Sequence, residues 1–237
     1  MNYAIIAAGN GSRLAAEGVE YPKPLVPMDG RPMIGRLIDI FESCDAESIS
    51  VIVNQEMTEV ADYLRTRAAT NPRLRLVVKS TPSSMHSFHE VADSLPEGKF
   101  ILTTVDTIFR PDEFRRYANA FADDTSADGF MAVTDYIDDE KPLYIDVDAH
   151  LRITAFSDTP VPQGRYISGG IYGLQSPRAI DILRRCIESG QSRMRNYQRA
   201  LVAEGLDLRA WPFGKILDVD HAGDIDKARQ FLNSPAQ

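Results

Sequence analysis

Several features that would narrow the search quickly are scarce or missing. There are two cysteines in 237 residues, Cys44 and Cys186, far apart and without metal-ligand spacing. They read as buried free thiols. No apolar run approaches the length of a membrane span. The N-terminus lacks the basic segment, apolar stretch and cleavage site of a signal peptide, so the expected location is the cytoplasm. A basic excess is also missing. The formal net charge of -8 argues against a nucleic-acid footprint, because phosphate backbones select basic faces. His86, His89, His150 and His221 show no ligand spacing. There is no repeat, low-complexity tract or long linker, so residues 1–237 read as one domain.

What is present is alternation. YAIIA, SISVIVN, LRLVV and KFILTTV are short strand-like runs. Between and after them lie RPMIGRLIDIFESC, EMTEVADYLRTRA, HSFHEVADSL and PDEFRRYANAF, with helical spacing of apolar residues. Strand and helix alternating in this way predict an α/β fold: a mostly parallel sheet with helices on both faces. Ligands in such sheets sit beyond the carboxyl ends of the strands. In the second half, GFMAVTDYI, LYIDV, LRITAF and GRYISGGIYGL read as strands of a small antiparallel extension. SPRAIDILRRCIES reads as a helix capped by its serine, and RMRNYQRALVAE as another helix. LDLRAWPF and KILDV are short strands, and AGDIDKARQFL is a closing helix.

The first strand runs into AAGNGSRL. Gly9 and Gly11 allow close approach of a ligand, successive backbone N–H groups make an anion hollow, and Arg13 offers a planar fork of donors. Two phosphate motifs fail here. The dinucleotide fingerprint needs a third glycine where Leu14 stands, and the P-loop needs Gly-Lys-Ser/Thr where Gly11-Ser12-Arg13 stands. A plain glycine turn with an exposed arginine fits the glycines equally well. The next segment, YPKPLVPMDGRPMI, holds Lys23 between Pro22 and Pro24, which limits its backbone freedom. Residues 1–31 balance Arg13, Lys23 and Arg31 against Glu17, Glu20 and Asp29, so the loop lies in no general basic patch.

AAGNGSRL followed by YPKPLVPMDGRPMI resembles the signature of the sugar-1-phosphate nucleotidyltransferases, the nucleotide-sugar pyrophosphorylases. The match is tight over residues 4–34 and looser elsewhere. It implies a Rossmann-like α/β fold and an enzyme that joins a nucleoside triphosphate to a phosphorylated acceptor, releasing pyrophosphate with the help of Mg2+. It places Ala7, Ala8, Gly9 and Gly11 on the nucleotide, Lys23 on the α-phosphate and Arg13 on the leaving pyrophosphate. Asp106, just past the apolar strand KFILTTV, matches the family's metal-binding aspartate, although Val105 stands where a glycine is usual. A turn-starting aspartate is the other reading. KILDVDHAGDIDKA supplies Asp218 and Asp220, which would share a face if the strand continued. The resemblance favours Asp218 as a metal ligand with Asp220 as a further candidate, and helix capping is the alternative. Asp224 and Asp226 are assigned to the first turn of the last helix.

STPSSMHSFHEV looks like the serine-containing segment of phosphocholine and phosphonate cytidylyltransferases, which makes Ser84 and Ser87 candidate nucleotide contacts, or helix caps. YISGGIYGL is similar to the family's glycine-bearing strand beside the acceptor, which marks Gly169 and Gly170 for substrate binding; a bulge or close packing explains them equally. Where hexose-phosphate relatives often carry Glu-Lys-Pro, this chain has FSDTPVPQGR. The expected function is therefore Mg-dependent nucleotidyl transfer to a sugar-1-phosphate, with nucleotide held by residues 1–110 and acceptor by 111–237. Cytidylyl transfer to phosphocholine or a phosphonate is the alternative, and a non-catalytic nucleotide-sugar sensor is the alternative from another class. A dinucleotide-dependent oxidoreductase lacks its third glycine. The expected partners are small molecules, with no nucleic acid and no membrane. The motifs specify neither base nor oligomeric state.

Overall fold

A computed structural model describes residues 1–138, 140–161 and 164–235. The first half places β1 (Asn2–Ala7), the short α1 (Ser12–Ala16), a 3-10 turn at Lys23–Leu25, and the two-residue strands β2 (Pro27–Met28) and β3 (Arg31–Pro32). Then follow α2 (Met33–Ser43), β4 (Ser48–Val53), α3 (Thr58–Ala68), β5 (Leu74–Val78), α4 (Ser84–Ala92) and β6 (Lys99–Thr104). β7 (Thr107–Ile108) and α5 (Pro111–Asp123) lead to β8 (Gly129–Thr134), β9 (Tyr144–Val147), β10 (Ile153–Ser157) and β11 (Tyr166–Gln175). α6 (Arg178–Glu188), α7 (Met194–Ala203), β12 (Leu208–Phe213), β13 (Leu217–Asp218) and α8 (Ala222–Asn233) complete the chain.

Among the described residues, nine strands form the main sheet. β5, β4, β1 and β6 lie side by side and parallel, in that spatial order. β11 then runs antiparallel to β6, β8 and β9, and β10 is antiparallel to β9. The antiparallel extension is as expected. β12 departs from that pattern, because it pairs parallel to β8.

Side chains alternate across the sheet with the two-residue period of a strand. Along β1, Tyr3, Ile5 and Ala7 enter one core and Ala4 and Ile6 the other. α2, α3, α5 and α8 cover the first face, with Phe41, Leu64, Phe114 and Phe231 among their buried residues. α4, α6 and α7 cover the second, with Phe88, Leu183 and Tyr197. Among the described residues no helix is long and apolar enough to cross a membrane.

The strand order positions the site. The chain proceeds outward from β1 to β4 and β5, then returns to place β6 on the other side of β1. β1 and β6 therefore flank the point where the winding reverses, which is where open α/β sheets form a ligand crevice at their carboxyl ends. β1 leads into the glycine loop, and β6 leads through Val105 to Asp106.

Candidate active site

The glycine loop is shaped against the lysine segment. Gly11 has φ of 60° and caps α1, a conformation that costs any other L-residue roughly 1–2 kcal/mol. A Cβ at Gly11 would also stand 2.9 Å from the Cβ of Lys23. Gly9 has open space where a Cβ would be. Gly11→Ala is therefore expected to lower the thermal midpoint by about 3–6 °C, while Gly9→Ala leaves it unchanged; equal midpoints for the two variants would refute this packing.

Asn54, at the end of β4, clamps the loop from the side. It is buried, and its Nδ2 donates to Asn10 Oδ1 at 2.6 Å, while its Oδ1 accepts from Ser80 Oγ at 2.6 Å. Nothing in the sequence marks it beyond an asparagine closing an apolar run.

Four charged side chains from distant parts of the chain converge. Lys23 Nζ donates to Asp106 Oδ2 at 2.5 Å and to Asp220 Oδ1 at 2.9 Å, and Arg13 Nη1 donates to Asp220 Oδ2 at 2.9 Å. The Lys23 side chain is 12% exposed. Burial disfavours its ammonium, but Asp106 and Asp220 outweigh that and raise its pKa. Asp220 also loses hydration, yet Lys23 and Arg13 hold its carboxyl below the usual range.

Asp220 reaches the site through a small ladder in which β13 pairs with β7, Asp218 opposite Thr107. Val219 N–H then donates to Asp106 O at 3.1 Å. β13 ends at Asp218, and Asp218 and Asp220 line one cleft. Asp220 is joined to Lys23. Among the described residues, no three His, Cys, Asp or Glu side chains group closely enough to hold a metal ion on their own. Asp106 and Asp220 do share a cation in the form of the Lys23 ammonium, so the donor set suits a positive ion completed by substrate oxygens. That matches magnesium, which usually takes one or two carboxylates plus phosphates and water.

Two clefts meet at this cluster. One, of about 290 Å3, is lined by Ala7, Ala8, Gly9, Gly11, Ser84 and Ser87, with Lys23 and Asp106 along one wall. The helix cap beside it is Ser83, whose Oγ accepts from His86 N–H at 3.3 Å. Ser84 is exposed in the cleft. Ser87 is buried, 2.6 Å from Thr81 Oγ1, and donates to Ser83 O at 3.2 Å, so it also braces the loop.

The other cleft, of about 440 Å3, is lined by Arg13, Ser168, Gly169, Asp218 and Asp220, with Lys141 and Arg195 on its outer wall. Gly170 is not part of this lining. It has φ of 71° and packs on Thr107, whose Oγ1 would lie 3.0 Å from an added Cβ. The pairing of β11 with β8 slips between Ser168 and Tyr172, so the glycine pair forms an irregularity in the strand. Beneath the cleft, buried Gln198 accepts from Ser168 Oγ at 3.0 Å. Burial, with Asp218 and Asp106 adding negative charge, pushes the nearby Tyr172 phenol up to about 12. Of FSDTPVPQGR, residues 162 and 163 lie outside those described.

His221 has a role that its spacing did not suggest. Its Nδ1 is 2.6 Å from Glu17 Oε1, and Ala222 N–H donates to Glu17 Oε2 at 2.6 Å. The pair ties the end of α1 to the start of α8, and Glu17 raises the pKa of His221. Asp224 closes a capping box with His221, whereas Asp226 lies past the first turn and pairs with Arg229 at 3.5 Å. Ser176 does not cap α6 with its side chain; its Oγ accepts from Gly98 N–H at 2.9 Å. Cys44 and Cys186 are buried and free.

Comparison with known proteins places the family and the fold. The model of the MobA-like NTP transferase domain matches residues 3–199. The bifunctional protein GlmU of Methanococcus maripaludis is 24% identical over 241 residues, covering 98% of this chain and 55% of that protein. The chain thus spans about half the length of such curated relatives. The 2-aminoethylphosphonate cytidylyltransferase of Lancefieldella rimae is 29% identical over 107 residues, 45% of this chain and 43% of that protein. The crystal structure of a putative glucose-1-phosphate thymidylyltransferase from Bacillus anthracis superposes with a TM-score of 0.82 at 19% identity, covering 100% of this chain and 97% of that one, which shows the shared fold. With a family model spanning the glycine loop, Lys23 and Asp106, the chain belongs to the MobA-like NTP transferase domain family.

Proposed function

We propose that this enzyme transfers a nucleotidyl group from a nucleoside triphosphate to a sugar-1-phosphate, releasing pyrophosphate. The observation that carries the reading is the meeting of two clefts at Lys23, Asp106, Asp220 and Arg13. The cleft beside the glycine loop takes the nucleotide, and the cleft beside Gly169 takes the acceptor. Residues 1–110 supply most of the first and residues 111–237 most of the second.

An acceptor phosphate oxygen would attack the α-phosphorus in line. One P–O bond forms there, the bond from that phosphorus to the β-phosphate oxygen breaks, and pyrophosphate leaves with the bonding electrons. The protein's part is placement and charge. Backbone N–H groups of residues 8–11 face the phosphates, Arg13 holds the departing pyrophosphate, and Lys23 supplies charge beside the α-phosphate. Asp106 and Asp220, with Asp218 beside them, would hold Mg2+, which when bound neutralises charge growing on the phosphate oxygens.

A second reading is favoured by the Thr81–Ser87 segment and by the Lancefieldella rimae relative, named for cytidylyl transfer to an aminoalkyl phosphonate. The outer acceptor cleft mixes Asp138 and Glu140 with Lys141 and Arg195, a lining able to meet a zwitterion. One assay separates the readings. The protein is incubated with Mg2+, each nucleoside triphosphate and a panel of hexose-1-phosphates, phosphocholine and 2-aminoethylphosphonate, and pyrophosphate is followed. Pyrophosphate with a hexose-1-phosphate is the expected result. Release only with CTP and a phospho-alcohol or phosphonate selects the second reading, and nucleotide-sugar binding without any turnover selects a sensor.

A further inference from the structure

The space between the two candidate metal carboxylates is filled by the chain itself. The ammonium of Lys23 touches Asp106 Oδ2 at 2.5 Å and Asp220 Oδ1 at 2.9 Å. The guanidinium of Arg13 holds the other oxygen of Asp220 at 2.9 Å. Magnesium binds carboxylate oxygens at about 2.0–2.1 Å, so an ion on these two oxygens would fall within about 4 Å of the ammonium. At that distance a single and a double positive charge repel twice as strongly as two unit charges. The two cations do not share the carboxylates unless phosphate oxygens come between them.

The lysine backbone has little freedom to retreat. Lys23 stands between Pro22 and Pro24 in a 3-10 turn packed against Gly11. Its side chain, however, also lines the nucleotide cleft. Rotation about its side-chain bonds would turn the ammonium from the carboxylates toward a triphosphate on the glycine loop.

Building on the reading of Asp106 and Asp220 as metal carboxylates, we propose that Lys23 is the resident cation of the metal site in the free protein and that nucleotide draws it off. Divalent ion and nucleoside triphosphate then bind as a pair, each making room or charge for the other, and the free protein is a poor metal binder. The lysine thereby couples the two ligands in addition to contacting phosphate.

The test measures Mn2+ binding to the whole protein, without nucleotide, by the loss of the free-ion EPR signal. Lys23→Met is expected to bind Mn2+ at least about tenfold more tightly than wild type, because a competing charge is removed. Lys23→Arg keeps the charge and is expected to show no gain. Lys23→Gln carries the same expectation as Lys23→Met and serves if the latter does not fold, as judged by circular dichroism. Adding Asp106→Asn to either neutral variant is expected to abolish the gain. Equal or weaker Mn2+ binding in folded Lys23→Met or Lys23→Gln overturns the proposal, and so does a gain that survives Asp106→Asn. Wild-type turnover that needs no divalent ion sinks the metal reading itself. Turnover that needs one, with no gain in the neutral lysine variants, sinks only the exchange.

Discussion

Asp106→Asn is expected to cut turnover at least about a hundredfold, the scale of losing one preorganised charge contact, with the fold unchanged. Asp106 stands two residues past β6, beside β1, where the winding of the sheet reverses. Its side chain is 22% exposed and touches Lys23. Asparagine is nearly the same size and keeps an oxygen able to accept from the lysine. What it loses is the negative charge. A change confined to charge should leave circular dichroism close to wild type while pyrophosphate release collapses. A variant that releases pyrophosphate at the wild-type rate would remove Asp106 from the chemistry and leave it as a partner for Lys23.

Lys23→Ala should be equally severe, with at least about a hundredfold loss in kcat/KM. Pre-positioning is the reason. The flanking prolines and the contact with Gly11 hold the lysine backbone before any ligand arrives, so little entropy is lost when the ammonium meets a phosphate. Arginine does not replace it well, because a planar fork on a longer stem does not fit a site built around a compact ammonium. The check is steady-state pyrophosphate release with the nucleotide and acceptor that wild type uses. A retained rate would mean that the lysine only balances Asp106 and Asp220 in the folded protein.

The regular frame was largely legible from residue pattern. β1, β4, β5 and β6 are short apolar runs, and α2, α3 and α5 carry apolar residues on one face, as local periodicity requires. The glycine loop and Lys23 were legible as well, because a tight turn and a proline clamp are local constraints. Long-range contacts were not. The pairing of β13 with β7 involves two residues on each side, too few to leave a period. That pairing decides that Asp220 meets Lys23. The parallel placement of β12 beside β8 depends on the path of the intervening helices and not on the strand's own residues. Capping was misjudged at Ser176 because an adjacent strand end competes for its hydroxyl: Ser176 binds Gly98. The tie between Glu17 and His221 joins opposite ends of the chain, and neither residue stands in a spaced motif.

That tie and the two-residue ladder beside it have a consequence for how the enzyme comes into being. The last strand in sequence to join the main sheet, among the described residues, is β12, which ends at Phe213, yet Asp220 and His221 follow it. A nascent chain can thus bury most of both cores before its charged centre exists. Ladders of two residues are also among the first to open locally. Loss of this corner would disarm the protein while its sheet stayed intact, so catalytic competence and global folding are separable properties here.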